Sequence, residues 1–404
     1  MFGLKKNHRT PKFKVEVLTK DEEIDISETV TNRLMSLTLT DNRGFEADML
    51  EIQLDDHDGK LALPTRNATL SIAIGWKGAP LVDKGKYSVD EIQYSGSPDS
   101  LTIRARAADL KGSLSEQKER SFHNIKLGEL IEQIATENEI GFECDERLVE
   151  VPIDHRDQTN ESDANFLTRL AQELDCLATV KNGNLLFMRM GQGRTLNGKM
   201  IPPVHIKKEH GDNYQFSISE TDNYKAVRAY WHDPDTGARG EITIDANSKI
   251  EKKQRMTKGR TLKDGSVKGQ RLSKRKYNTL VQTEPVESDS EQIKNLRETY
   301  NTEARALTAA KSAFDKLKRG VASFNITLAN GVPDLIPETP MRLSGFKQGI
   351  DGTDWLITRV THNISDGGFT TQVECELKVE ENEVEVKKRE KIGLIHAHTL
   401  KMYN

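Results

Sequence analysis

Apolar and polar residues alternate over short runs at both ends of this chain of 404 residues. Early on, Lys12 to Leu18, Met35 to Leu39 and Leu70 to Ile74 alternate, with turn residues at Asp41-Asn42-Arg43-Gly44 and from Asp55 to Gly59. That period predicts short antiparallel strands, in a small barrel or sandwich. One stretch runs Gly75-Trp76-Lys77, then Tyr87, Val89, Ile92 and Tyr94, then Leu101, Ile103 and Ala105. Another runs Gly345-Phe346-Lys347, then Trp355, Ile357, Val360 and His362, then Phe369, Thr371 and Val373. From Tyr87 onward the two spacings coincide. A β-unit carried twice by one chain gives a subunit with two similar domains, which matters for the symmetry of any ring it forms.

Between these ends the period changes. Leu127, Leu130, Ile131 and Ile134 follow helical spacing, as do Phe166, Leu167, Leu170, Ala171 and Leu174, with Ser162 or Asp163 placed to cap the second helix. Cys176 to Val180 and Leu185 to Met188 flank Asn182-Gly183, the pair a tight hairpin turn requires. Residues 112–203 are therefore expected to be an α/β domain inserted after a first barrel of 1–111. Strand patterns return between Val204 and Ile244 and again from 321 to 379, which assigns 204–245 and 321–379 to a second, split barrel. The segment 246–320 reads as a basic flexible insertion followed by a helix through Ala306, Ala310, Phe314 and Leu317, and 380–404 as a charged tail. The expected fold is mainly β: two similar antiparallel β-barrel domains plus two smaller inserted domains.

Charge changes this picture in one place. The net charge is −4 and gives no global field for nucleic acid or membrane. Lys249 to Lys276, however, holds twelve Lys or Arg against Glu251 and Asp264. Without aromatic platforms, that run reads as a solvated insertion. Hydrophobic residues make up 35% of the chain and charged ones 30%, a balance suited to multi-lobed subunits with much surface. Cys144, Cys176 and Cys375 lie far apart in no C-x-x-C pair, so a reduced cytoplasmic origin is expected. The basic N-terminus has no apolar run behind it, and Leu70 to Trp76 is too short to span a bilayer, so no membrane insertion is expected.

Four motifs invite a chemical reading, and each fails it. Gly193 to Met200 nearly spells a phosphate-binding loop, but lacks its hydroxyl and runs into Ile201-Pro202-Pro203 where a helix must open. Asp56-His57-Asp58-Gly59 resembles part of a calcium loop, yet Leu54 and Thr65 fall where its first and last ligands belong. His396 and His398 lack a third metal ligand. Asp154-His155-Arg156-Asp157 reads as a solvated loop before the second helix, since adjacent residues rarely converge on one substrate atom. No catalytic, cofactor-binding or metal residue is assigned, and no enzyme activity is expected.

Longer strings carry a family resemblance: RLMSLTLTDNRGFEADMLEIQLDD (33–56), KGKYSVDEIQYSGSPDSLTIRARAADLKG (84–112), DQTNESDANFLTRLA (157–171), VKNGNLLF (180–187), KLKRGVASFNITLANG (316–331) and IPETPMRLSGFK (336–347). Their order and length resemble the late control protein D family, the baseplate hub proteins of contractile phage tails and R-type bacteriocins, related to the N-terminal part of type VI secretion spike proteins. The resemblance implies a homotrimer that adapts a hexameric tail tube, or its initiator protein, to a trimeric central spike. It implies baseplate wedge and tape measure proteins as further partners, and nucleic acid only as DNA passing through a channel. It places the chain in a virion tail baseplate or bacteriocin particle assembled in a bacterial host. Hubs with an added peptidoglycan-degrading activity are the alternative within that family, and a DNA-binding late-gene regulator is a more distant one. The basic insertion and the tail fall outside the similarity.

Overall fold

Alternation sets the strands, and a run of uncharged pairings joins them. The computed structural model describes residues 9–378 apart from 20–21, 65–67, 108–112, 182, 196–198, 219–223, 235, 257–259, 262–266, 269–271 and 283–291, with backbone alone for 251–279 and 281–282. The first β region contains β1 (Pro11–Leu18), β2 (Glu23–Asp25), helix α1 (Ser27–Arg33), β3 (Leu34–Asp41), β4 (Met49–Asp55), β5 (Thr69–Trp76), β6 (Val82–Ser95) and β7 (Ser100–Ala107). Next come β8 (Gln117–Lys126), α2 (Leu127–Glu137), β9 (Gly141–Cys144), β10 (Pro152–Ser162), α3 (Asp163–Glu173), β11 (Cys176–Lys181) and β12 (Asn184–Arg189). Then follow β13 (Val204–Lys207), β14 (Gly211–Ile218), β15 (Ala226–His232), β16 (Arg239–Asp245), β17 (Ser248–Met256), β18 (Arg260–Thr261), β19 (Val267–Lys268), β20 (Leu272–Gln282) and β21 (Ile293–Tyr300). The last elements are α4 (Glu303–Gly320), β22 (Ala322–Leu328), β23 (Pro340–Ser344), α5 (Gln348–Asp351), β24 (Asp354–Ser365) and β25 (Gly368–Leu377).

Thirteen strands form one sheet whose path runs β14-β22-β25-β24-β3-β4-β7-β6-β5-β1-β2, with β13 beside β23 and β23 beside β24. No pairing that closes either half into a ring lies among the described residues. The sheet contains one five-strand order twice, β3-β4-β7-β6-β5 along the path and β14-β22-β25-β24 with β23 branching from β24. The registers agree as well. Leu39, Leu50, Ala105 and Val89 stand in one cross-strand row, and Phe216, Phe324, Cys375 and Ile357 in the matching one. A second row, Leu37, Ile52, Ile103 and Ile92, corresponds to Tyr214, Ile326, Val373 and Val360.

Both copies carry a register shift at the same point, between Val89 and Glu91 in β6 and between Ile357 and Arg359 in β24. Such a shift is a β-bulge, and it explains why the apolar spacing in each strand lengthens from two residues to three there. The rows also correct the alignment read from spacing alone. The counterpart of Ile103 is Val373, not Thr371, because the β24–β25 hairpin is two residues longer than its equivalent, its strands pairing on through Ile364–Phe369 and Ser365–Gly368 before the turn at Asp366-Gly367. The mismatch with a threonine moves from Ile103 to Leu101, whose counterpart is Thr371.

The α/β segment has its own core. Helices α2 and α3 bury the two predicted stripes against Cys176, Ala178, Val180, Leu185 and Phe187, and the Ser162 hydroxyl caps α3 by accepting the Asn165 N–H at 3.2 Å. Of the 204–245 stretch, β13 and β14 join the large sheet, but β15 and β16 do not. They pair with β21 in a separate sheet, packed against α4, which buries Ala306, Leu307, Ala310 and Phe314. The basic stretch also differs from expectation: β17 and β20 form an antiparallel ribbon, with Ile250 opposite Leu280 and Lys253 opposite Tyr277. Ladder bonds come from the backbone, so a two-stranded ribbon needs no apolar period to announce it. The C-terminal tail lies outside the described residues.

Burying Phe324 completely between Trp355, Phe346 and Tyr214 makes it the centre of the second copy. Phe324→Ala should therefore cost about 3–5 kcal/mol, read as a lowered urea midpoint, while exposed Met49→Ala in β4 should change it by under about 0.5 kcal/mol.

Candidate assembly interface

The two copies meet where β24 lies antiparallel to β3, with Val360 opposite Asp41, His362 opposite Leu39 and Ile364 opposite Leu37. Every residue of β24 in this stretch, Val360 to Ser365, is uncharged at neutral pH, and so is β3 from Leu34 to Thr40. The β24–β25 turn then crosses into the first copy. Ile364 and Phe369 are part of that copy's buried core, and the Phe369 ring packs 5.1 Å from that of Trp76. The Trp76 indole N–H donates to the Gly331 carbonyl at 3.0 Å, and the Gly331 N–H donates to the Phe369 carbonyl at 2.7 Å. A Cβ on Gly331 would stand 2.3 Å from the Phe369 ring, so only glycine fits this crossing.

Most polar side-chain atoms at the junction are paired, the buried His362 Nε2 being an exception. Lys84 is almost wholly buried, with its ammonium 3.1 Å from Asp41 and 3.3 Å from the Leu335 carbonyl. His362 is fully buried, its Nδ1 2.9 Å from the Thr371 hydroxyl, which also accepts the Val332 N–H at 3.0 Å. Burial, with the nearby Lys84 charge, pushes its pKa down to about 3, against a smaller opposing effect of the Leu335 carbonyl.

A buried charge network fastens the α/β segment and α4 to the same place. The Arg43 guanidinium forms an ion pair with Glu338 at 2.8 Å and donates a hydrogen bond to Glu376 at 2.7 Å. Glu338 accepts the Gly191 N–H at 3.0 Å, and Arg319 of α4 holds Asp175 through two bonds while lying 3.5 Å from Glu376. Burial raises the Glu338 pKa, offset in part by Arg43. With both charges desolvated, removing one partner costs more than the pair contributes. Sequence reading missed this cluster because its members are scattered from residue 43 to residue 376 with no spacing to betray them.

The motifs singled out in the sequence do not converge on a site. Arg194 bridges Met200 and the Ile201 N–H donates to the Gly193 carbonyl, and among the described residues no helix opens after Lys199. Asp56 to Gly59 make a turn in which Asp58 binds Arg33 at 2.7 Å and Gly59 takes φ +62°. Asp154 to Asp157 lie within β10, not in a loop, since both faces of the two-stranded β8–β10 sheet carry polar residues. That strand places His155 3.0 Å from His123 and 2.9 Å from Asp157, and Asp157 binds Ser121 at 2.5 Å. The serine bonds the carboxylate rather than the imidazole, which is not the order of a nucleophile and its base. His396 and His398 lie outside the described residues. Among the described residues no group of three or more His, Cys, Asp or Glu is placed to hold a metal, and no helix is long and apolar enough to cross a membrane.

Comparison with known proteins places these features in context. The family described as "Phage tail baseplate hub (GPD)" matches residues 45–368. A protein of Escherichia phage 186 named "Probable baseplate hub protein" is 43% identical over 361 residues, which is 89% of this chain and 92% of its own. One of the same name from Escherichia phage P2 is 43% identical over 363 residues, with the same coverage. Among solved structures, the 43 kDa tail protein of prophage MuSo2 from Shewanella oneidensis superposes with a TM-score of 0.58 at 12% identity, over 90% of this chain and 98% of that one. The tail protein from Neisseria meningitidis MC58 gives 0.59 at 10% identity, over 90% and 96%. At these identities the two structures share the fold.

Two outcomes test the junction. Gly331→Ala should destabilise by about 1–3 kcal/mol through overpacking and Phe369→Ala by about 3–5, with the double variant less destabilised than their sum, as measured by urea unfolding. His362 has a folded pKa of about 3, below its unfolded value of about 6.5, so the unfolded chain binds the extra proton between those values. Its contribution is therefore full above about pH 6.5 and is lost as pH falls toward 3, by up to about 1.4 kcal/mol per unit. Between pH 7.5 and 4.5 the wild type should lose more stability than His362→Gln.

Proposed function

We propose a specific role for this chain, which belongs to the phage tail baseplate hub family: three copies form a ring that adapts the sixfold tail tube to a threefold central spike. One observation carries the reading, the five-strand order present twice with matching rows and matching bulges. Three chains bearing two similar repeats offer six similar surfaces on one side and keep true threefold symmetry on the other. The repeats are similar but distinct, as Leu101 against Thr371 and Tyr94 against His362 require. That suits an adaptor, whose two sides have different symmetries.

Baseplate hubs of phage tails are structural components of the virion tail. In this reading the chain works by geometry, without chemistry of its own. It contacts a tube or tube-initiator protein on the sixfold side and the spike on the threefold side, with wedge and tape measure proteins nearby and DNA as passing cargo. Light scattering of the purified chain should give three times the chain mass, and class averages should show a threefold ring with six similar lobes on one face. A protein that stays single at about 100 µM, or that assembles in even numbers, sinks the reading.

A further inference from the structure

Resting on the oligomeric hub reading, we propose that neighbouring copies join by strand pairing, with β14 of one chain antiparallel to the distal half of β6 in the next, in a register set by the internal repeat. The argument begins with a pairing present once. Within the chain, the first strand of the first repeat, β3, is covered by the fourth strand of the second, β24. The repeat supplies the counterparts of both partners. They are β14, the first strand of the second repeat, and the stretch of β6 beyond its bulge. Among the described residues neither has a partner on the corresponding edge: β14 pairs only with β22, and β6 pairs with β5 no further than Ser88.

Exposure follows this difference position by position. Leu37, Leu39 and Asp41 of β3 are buried, whereas their counterparts Tyr214, Phe216 and Ile218 in β14 are 41% exposed, half-buried and 60% exposed. Val360, His362 and Ile364 of β24 are buried, but Tyr94, the counterpart of His362, is 51% exposed. Both free edges carry apolar residues that stay partly exposed, with no strand laid along them among the described residues.

Composition sharpens the point. Unpaired edges in soluble proteins are guarded by charges, prolines or bulges, because bare edges template association. In a chain of 30% charged residues, β14 carries none from Asn213 to Ile218 and β6 none from Ile92 to Ser95. Both match the uncharged strands of the internal junction. Six strands separate the two edges along the path, and they do not pair within the chain, so the occupant is a second copy.

The internal pairing of Val360 with Asp41, Thr361 with Thr40 and His362 with Leu39 carries over as a register. Ile92 should lie opposite Ile218 of the neighbour, Gln93 opposite Ser217 and Tyr94 opposite Phe216. The new junction differs in one respect. The counterpart of the inserted Phe369 is Asp99, so no ring crosses over and the contact is a strand pair alone.

The test uses the full chain with Gln93→Cys and Ser217→Cys together, under mild oxidation, alongside light scattering. Directly opposed strand residues lie within disulfide reach, while diagonal ones do not. A trimer whose double variant cross-links into covalent dimers and trimers supports the pairing. So does a mixture of the two single variants that stops at covalent dimers. The offset pair, Gln93→Cys with Gln215→Cys, should cross-link at least about fivefold more slowly. A trimer that does not cross-link, or that cross-links equally at the offset pair, overturns the pairing and leaves the trimer standing. A chain that stays single at high concentration overturns both.

Discussion

The antiparallel contact of β24 with β3 is the constraint on which the rest of the large sheet depends. It converts two five-strand repeats into one hydrogen-bonded path and fixes how far one is shifted against the other. Because side chains alternate along a strand, a slip by one residue would turn Leu37 and Leu39 outward and bring Thr38 and Thr40 into the core. The crossing of Phe369 into the first core, under Trp76 and over Gly331, blocks that slip. Pairing and packing therefore specify the same register independently.

Around this contact the chain gathers its remaining parts by charge. Arg43 comes from the turn after β3, Asp175 and Gly191 from the α/β segment, Arg319 from the last turn of α4, and Glu338 and Glu376 from the second repeat. Apolar contact tolerates sliding, whereas a buried guanidinium holding two carboxylates does not. The network adds position more than stability.

Much of this was legible in the sequence, and the failures have physical causes. Leu127 to Ile134 and Phe166 to Leu174 announced α2 and α3 because an amphipathic helix writes its buried face at a fixed period. The repeat is visible as spacing from Tyr87 and Trp355, yet spacing alone sets its last strand two residues off. A two-residue lengthening of the hairpin leaves alternation intact, and only pairing shows that Ile103 matches Val373. The ribbon of β17 and β20 left no trace, since ladder bonds are made by a backbone common to all residues. The junction itself was out of reach: Trp76 and Phe369 meet across almost three hundred positions, and nothing in either neighbourhood names the other.

The bulges after Val89 and Ile357 set more than local shape. A bulge bends and twists its strand, and in both repeats it stands just before the stretch where β24 meets β3 and where β6 lies bare. Head-to-tail contacts close into a ring only when the turn per contact divides the circle; otherwise they run on as an open filament. In the ring proposed above, each chain carries one finished sample of the angle by which each successive repeat must turn. The intramolecular joint would act there as a gauge for curvature that sets the number of repeats around the circle before one molecule meets another.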